Sequence, residues 1–161
     1  RHHHYTCFLS ADGEIDTAPL LQSLLKRGRQ IWLPCLGQPT LAFKHYRPGV
    51  HMRSGAFGIR EPATGPRSIR TPNAMDVVLM PLVGYDRHGN RLGMGGGYYD
   101  RTFAFRRWRR IWRKPLLIGV AFSAQEIDCV PTDYWDVPLD GVLTEQGVRW
   151  FEHPRPGGET Q

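Results

Sequence analysis

The chain has 161 residues, 40% of them hydrophobic, and a formal charge of +6 at neutral pH. This length fits one domain with a real core, and scattered charges at that apolar content exclude the disordered and fibrous classes. No apolar run reaches bilayer-spanning length and no charged-then-apolar leader precedes the first strand, so a soluble, cytoplasmic protein is expected, with anionic partners.

Residues 1–4, Arg1-His2-His3-His4, read as a frayed or tag-like start without a role, and 5–152 as a single domain. Residues 5–10 form the first expected strand. Asp16 or Thr17 then caps a helix with Pro19 in its first turn, Leu20, Leu21, Leu24 and Leu25 on its core face, and Gly28 at its end. Strands are expected over 30–36 and 40–46. Residues 48–73, rich in Gly, Pro and Arg without periodicity, read as a long surface connection. The run Val77-Val78-Leu79-Met80-Pro81-Leu82-Val83 is short, β-branched and uncharged, which predicts a buried strand.

Residues 102–114 contain no Gly or Pro and predict a helix, with Phe105, Trp108 and Trp112 as a buried stripe. Its arginines suit either a solvated face or a grip on nucleic-acid phosphates with aromatics stacking on bases. A strand over 116–122, another over 141–144, a short helix over 147–152 and a disordered tail over 153–161 complete the expected order. Cys7, Cys35 and Cys129 are odd in number and widely spaced, which argues against a disulfide framework or a zinc site and for reduced core thiols. Alternating strands and helices imply an α/β three-layer sandwich with a largely parallel, Rossmann-like sheet. In such a sheet, ligands bind at the C-terminal ends of the strands.

The chemistry concentrates in Arg91-Leu92-Gly93-Met94-Gly95-Gly96-Gly97-Tyr98-Tyr99-Asp100-Arg101, between the strand at 77–83 and the helix at 102–114. Four glycines in five positions let main-chain N–H groups turn toward a ligand, and a following helix terminus favours anions. The P-loop pattern fails because Tyr98 and Tyr99 stand where Lys and Ser or Thr are needed. The dinucleotide pattern fails because Tyr98 takes the place of its third glycine. What points to a ligand is the flanking chemistry: Arg91, two aromatics able to stack on a flat ring, and Asp100 placed to hold a divalent cation.

Residues Arg91 to Asp100 satisfy every fixed position of R-L-G-x-G-x-G-Y-Y-D, and on them the chain resembles the 5-formyltetrahydrofolate cyclo-ligase family, also called 5,10-methenyltetrahydrofolate synthetases. Two further segments are similar: Leu9-Ser10-x-x-Gly13-Glu14-Ile15-Asp16-Thr17, and Val130-Pro131 through Asp136 to Asp140. The resemblance spans roughly residues 5–145. It implies ATP-dependent cyclisation of 5-formyltetrahydrofolate to 5,10-methenyltetrahydrofolate, with Mg²⁺ as cofactor and ADP and phosphate released through a phosphorylated formyl intermediate.

By the same resemblance, Arg91, Leu92, Gly93, Met94, Gly95, Gly96, Gly97, Tyr98 and Tyr99 would bind ATP, with Arg91 and Asp100 catalytic. Asp100 and Asp136 would hold the metal. Leu9, Glu14, Phe57, Met94, Gly95, Gly96, Gly97 and Tyr98 would contact the folate. On spacing alone Glu14 is a solvated turn acid and Asp136 a cap before a strand; Phe57, in Gly55-x-Phe57-Gly58-Ile59-x-Glu61-Pro62, either fixes a turn or walls the pocket. The chain departs from the family in two places. Trp135 stands where a His is usual, and the sequence begins just before the first strand, after the point where the family carries a helix with ATP-contacting Lys and Arg residues; Arg1 is not equated with any of them. A monomer is expected, with ATP and the folate as anionic partners rather than nucleic acid, and no membrane.

Overall fold

The computed structural model describes residues 2–11, 13–37, 39–108 and 114–152. Twelve strands and two α-helices follow in chain order: β1 His4–Thr6, α1 Ala18–Lys26, β2 Gln30–Leu36, β3 Leu41–Tyr46, β4 Met52–Ser54, β5 Arg60–Pro62, β6 Ile69–Arg70, β7 Val77–Pro81, β8 Gly84–Tyr85, β9 Arg91–Leu92, α2 Tyr98–Thr102, β10 Leu116–Val120, β11 Gly141–Thr144 and β12 Gly147–Trp150. Eight of the strands form one sheet in the order β12-β11-β10-β7-β1-β2-β3-β6. The central five, β11-β10-β7-β1-β2, are parallel, whereas β12, β3 and β6 add antiparallel edges.

The sheet is covered on both faces, which is why its central strands read as unbroken apolar runs. Successive side chains alternate across it. Val77 and Leu79 join Ile31, Leu33, Ile118 and Val120 against α1, where Leu21 is buried and Leu20, Leu24 and Leu25 pack alongside. Val78 and Met80 face the other way, into a cluster with Phe43, Phe103, Leu117, Leu139 and Val142. Helix α1 forms one outer layer. The other is built from α2, the 3-10 turn Ala104–Trp108 and the polypeptide around them. The expected three-layer, largely parallel α/β sandwich is what the chain adopts.

Several local expectations are corrected. The first strand is His4–Thr6, not 5–10. His3 and His4 are not frayed, because their amides donate to Asp76 Oδ2 at 2.7 and 3.0 Å. The connection over 48–73 contains the β4–β5 hairpin and the edge strand β6. The helix expected over 102–114 starts earlier, at Tyr98, and gives way to a 3-10 turn after Thr102; residues 109–113, Trp112 among them, lie outside the described residues. Trp108 is not in a buried stripe but 83% exposed, and Phe103 is the aromatic that enters the core. Arg106 turns inward instead of forming a basic face, pairing with the buried Asp140 at 2.5 and 2.9 Å. Residues 147–150 form β12 rather than a helix, since Gly147 at φ +120° closes a hairpin with β11. Residues 153–161 lie outside the described residues.

Burial pushes the thiols of Cys7 and Cys35 up to about 12, as expected of inert core cysteines. Cys129, by contrast, is exposed. Among the described residues no helix is long and apolar enough to cross a membrane.

Candidate active site

The glycine loop does not follow the β7 strand directly. The β8–β9 hairpin intervenes, and Asp86 builds its turn. This fully buried carboxylate accepts the amides of His88 and Asn90 at 2.9 and 3.1 Å, the Asn90 side chain at 2.9 Å and the Val130 amide at 3.1 Å. Burial opposes its charge, yet these donors hold the carboxyl below its ordinary range. The hairpin is thereby tied to Val130, where the stretch bearing Asp136 begins.

The loop itself is open. Gly93, Met94, Gly95 and Gly96 are exposed, and a Cβ at Gly93 or Gly95 would meet nothing within 4 Å. Two of the glycines are required by backbone conformation, Gly95 at φ +90° and Gly97 at φ +62°. Gly97 caps α2, and Arg101 on that helix lies 4.8 Å from the centre of the Tyr98 ring. With α2 only five residues long, the macrodipole is small, so the loop's own N–H groups dominate any attraction for an anion.

Arg91 and Asp100 meet at the base of the loop. Arg91 Nη2 donates to Asp100 Oδ1 at 2.8 Å and Nη1 donates to the Val137 carbonyl at 2.5 Å, with the Arg91 side chain buried. Asp100 Oδ1 also accepts the Val137 amide at 3.0 Å. That amide belongs to the peptide joining Asp136 to Val137, so Asp100 touches the backbone next to Asp136, 36 positions further along the sequence. Asp136 Oδ2 accepts the Asp133 amide at 2.8 Å and closes its own turn. Among the described residues, each acid keeps one carboxylate oxygen that accepts no protein hydrogen bond. Two of the Arg91 N–H groups thus orient Asp100 and the Val137 carbonyl.

Tyr99 joins this corner to the first strand's end. Burial raises its phenol's pKa, the Cys7 thiol and Glu14 carboxylate add to the effect, and the Arg91 guanidinium opposes it. Glu14 Oε2 accepts the Ala11 amide at 2.8 Å, which fixes the turn after β1, and Leu9 in that segment is exposed. Phe57 sits at the tip of the β4–β5 hairpin, 85% exposed and at φ +55°, a conformation a bulky side chain rarely takes.

Among the described residues, no three or more His, Cys, Asp or Glu side chains gather as a metal site. Two carboxylates with free oxygens suit Mg²⁺, which keeps several waters and takes its remaining ligands from substrate phosphates.

The glycine loop, Asp100, Asp136 and Glu14 in the turn after β1 all lie in segments covered by one family model. That model, the 5-formyltetrahydrofolate cyclo-ligase family, matches residues 1–145. The chain belongs to the 5-formyltetrahydrofolate cyclo-ligase family. It is 40% identical over 139 residues to the 5-formyltetrahydrofolate cyclo-ligase of Haemophilus influenzae, covering 84% of this chain and 72% of that enzyme. To the Escherichia coli K12 cyclo-ligase it is 37% identical over 149 residues, covering 91% and 80%. Among solved structures, the Aquifex aeolicus 5,10-methenyltetrahydrofolate synthetase matches with a TM-score of 0.73 at 33% identity, over 99% of this chain and 76% of that one. The polypeptide is accordingly an enzyme of the cyclo-ligase class.

Sequence reasoning missed the groups that hold this cyclo-ligase site in place. Asp86 was visible in principle, because Asp86-Arg87-His88-Gly89-Asn90 carries the Asp, Gly and Asn of a hairpin turn. The Val137 main chain, clamped through both its N–H and C=O, left no signal in side-chain identity.

Proposed function

We propose that this enzyme catalyses the ATP-dependent cyclisation of 5-formyltetrahydrofolate to 5,10-methenyltetrahydrofolate, with release of ADP and phosphate. The observation that carries this reading is the contact of Asp100 with the Asp136–Val137 peptide at the foot of an open glycine loop. An N-formyl oxygen is a poor leaving group. Transfer of the γ-phosphoryl group to it makes a phosphorylated imidate, from which phosphate departs as the N10 amine closes the ring. Such transfer rests on alignment and charge neutralisation rather than on a protein nucleophile.

In this scheme the amides of Gly93 to Gly97 receive the phosphates, with Leu92, Met94, Tyr98 and Tyr99 bordering nucleotide and folate. Asp100 and Asp136 hold Mg²⁺, which when bound neutralises charge on the phosphates. Arg91 keeps the Asp100 carboxylate facing Val137 and leaves its second oxygen for the ion. Glu14 accepts the adjacent N–H donors of the pterin, a task suited to a carboxylate, with Leu9 and Phe57 as apolar walls.

The test is direct observation of methenyl product from 5-formyltetrahydrofolate. Product that appears only when both ATP and Mg²⁺ are supplied, with one ADP per ring closed, agrees with the proposal; product formed equally well without ATP contradicts it.

A further inference from the structure

Beside the acid corner is an aromatic platform that packing does not explain. Tyr134 is 87% exposed and Trp135 46% exposed, and their rings meet edge to face with centroids 4.7 Å apart. Both sit in the tight turn from Asp133 to Asp136, which the Asp136 side chain closes onto the Asp133 amide. Arg107 Nη1 donates to the Tyr134 carbonyl at 3.2 Å, fixing the turn from outside. Immediately after it, Val137 is held by Asp100 through its N–H and by Arg91 through its C=O. Two large rings are thus held in water on a pinned turn. The backbone that carries them is fixed on both sides.

The platform begins one residue from an acid proposed to serve the triphosphate. A nucleotide anchored there by its phosphates carries a flat, apolar base at its other end. Among flat ligands this is the one whose other end, the phosphates, has its proposed anchor at the adjoining acid. We infer that Tyr134 and Trp135 form the stacking surface for the nucleobase of the triphosphate substrate, making them specificity residues that separate nucleotides from simple polyphosphates. Stacking of a base on an aromatic side chain tolerates any base with a π-face, so the gain is for nucleotide over bare triphosphate rather than for one purine over another. This inference rests on the nucleotide reading of the glycine loop.

The experiment compares dissociation constants of Mg-ATP and Mg-tripolyphosphate for the full chain and for Tyr134→Ala, Trp135→Ala and Trp135→Phe. The expected result is that ATP binds the parent at least about tenfold more tightly than tripolyphosphate. Each Ala variant should lose most of that advantage while binding tripolyphosphate unchanged, and Trp135→Phe should keep it. Equal weakening of both ligands in the Ala variants would mean that the rings only hold the acids in place, and unchanged ATP binding would mean that the base lies elsewhere; either overturns the inference. Failure of the parent to bind either ligand overturns the nucleotide reading itself, which is a separable result.

Discussion

The Arg91 guanidinium spans two partners, Asp100 Oδ1 at 2.8 Å and the Val137 carbonyl at 2.5 Å, and so locks the glycine loop's helix to the segment carrying the second acid. Planar, forked donation of this kind is specific to arginine. Because the Arg91 side chain is buried, Arg91→Ala should lower the free energy of unfolding by roughly 3 kcal/mol, the usual cost of leaving a buried partner uncompensated. Arg91→Lys should restore part of the stability but not the activity, since a single ammonium cannot hold both partners. Denaturant unfolding beside turnover checks both; an Arg91→Lys enzyme of full activity would remove the positioning role.

Asp100→Asn keeps an oxygen for Arg91 and Val137 while removing the charge that a metal requires. Turnover at saturating Mg²⁺ should fall at least about 100-fold, the scale of losing one electrostatic contributor to a transition state, with the circular dichroism spectrum unchanged. Near-parental turnover would exclude Asp100 as an ion ligand.

Glu14 shares its electrostatic surroundings with Tyr99 but lies on the opposite side of the chain's order, after β1. Glu14→Gln should raise the KM for 5-formyltetrahydrofolate by about tenfold or more, as expected for a lost charge-assisted hydrogen bond, with little change in the KM for ATP. Equal loss for both substrates would contradict the pterin role.

Asp76 ties the amides of His3 and His4, at the start of β1, to Lys114 just before β10. Burial works against its charge, but the Lys114 ammonium and the two amides hold its carboxyl well below the ordinary range. A depressed folded-state pKa gives stability that is complete above the unfolded carboxylate value near 4 and drains away as the pH falls below it. Asp76→Asn should therefore cost stability at pH 7 and flatten the decline below about pH 4. An unchanged acid limb in the variant's unfolding profile would contradict this assignment.

Gly97 occupies φ +62°, and a Cβ there would lie 2.9 Å from Arg101 Nη1. Gly97→Ala should destabilise the fold by about 1 kcal/mol and weaken ATP more than folate, because it shifts both the cradle and the Arg101–Tyr98 contact. Thermal unfolding with both KM values checks it; an alanine variant indistinguishable in ATP affinity would show the cradle's conformation to be immaterial.

The covered sheet was legible because β2, β7, β10 and β11 are short, largely apolar runs, and α1 through its leucine spacing and Pro19. The segment after Thr102 was expected to be helical because it contains no Gly or Pro; in the fold Phe103 is drawn into the core and Arg106 is drawn to Asp140, and these long-range contacts override local pattern. Likewise, 147–150 becomes a strand because β11 offers an edge to pair with, which no window of local sequence reveals. The loop's glycines and the acids were named from motif alone. The contact of Asp100 with the Val137 peptide, and the hold of Arg91 on Asp100, depend on tertiary placement.

In the proposed reaction the formyl oxygen leaves as phosphate. Running the reaction with 5-formyltetrahydrofolate labelled with ¹⁸O in the formyl group and analysing the released phosphate by mass spectrometry tests it most directly. One labelled oxygen per phosphate is the predicted result, and phosphate without label, with the ¹⁸O in water instead, would contradict the account.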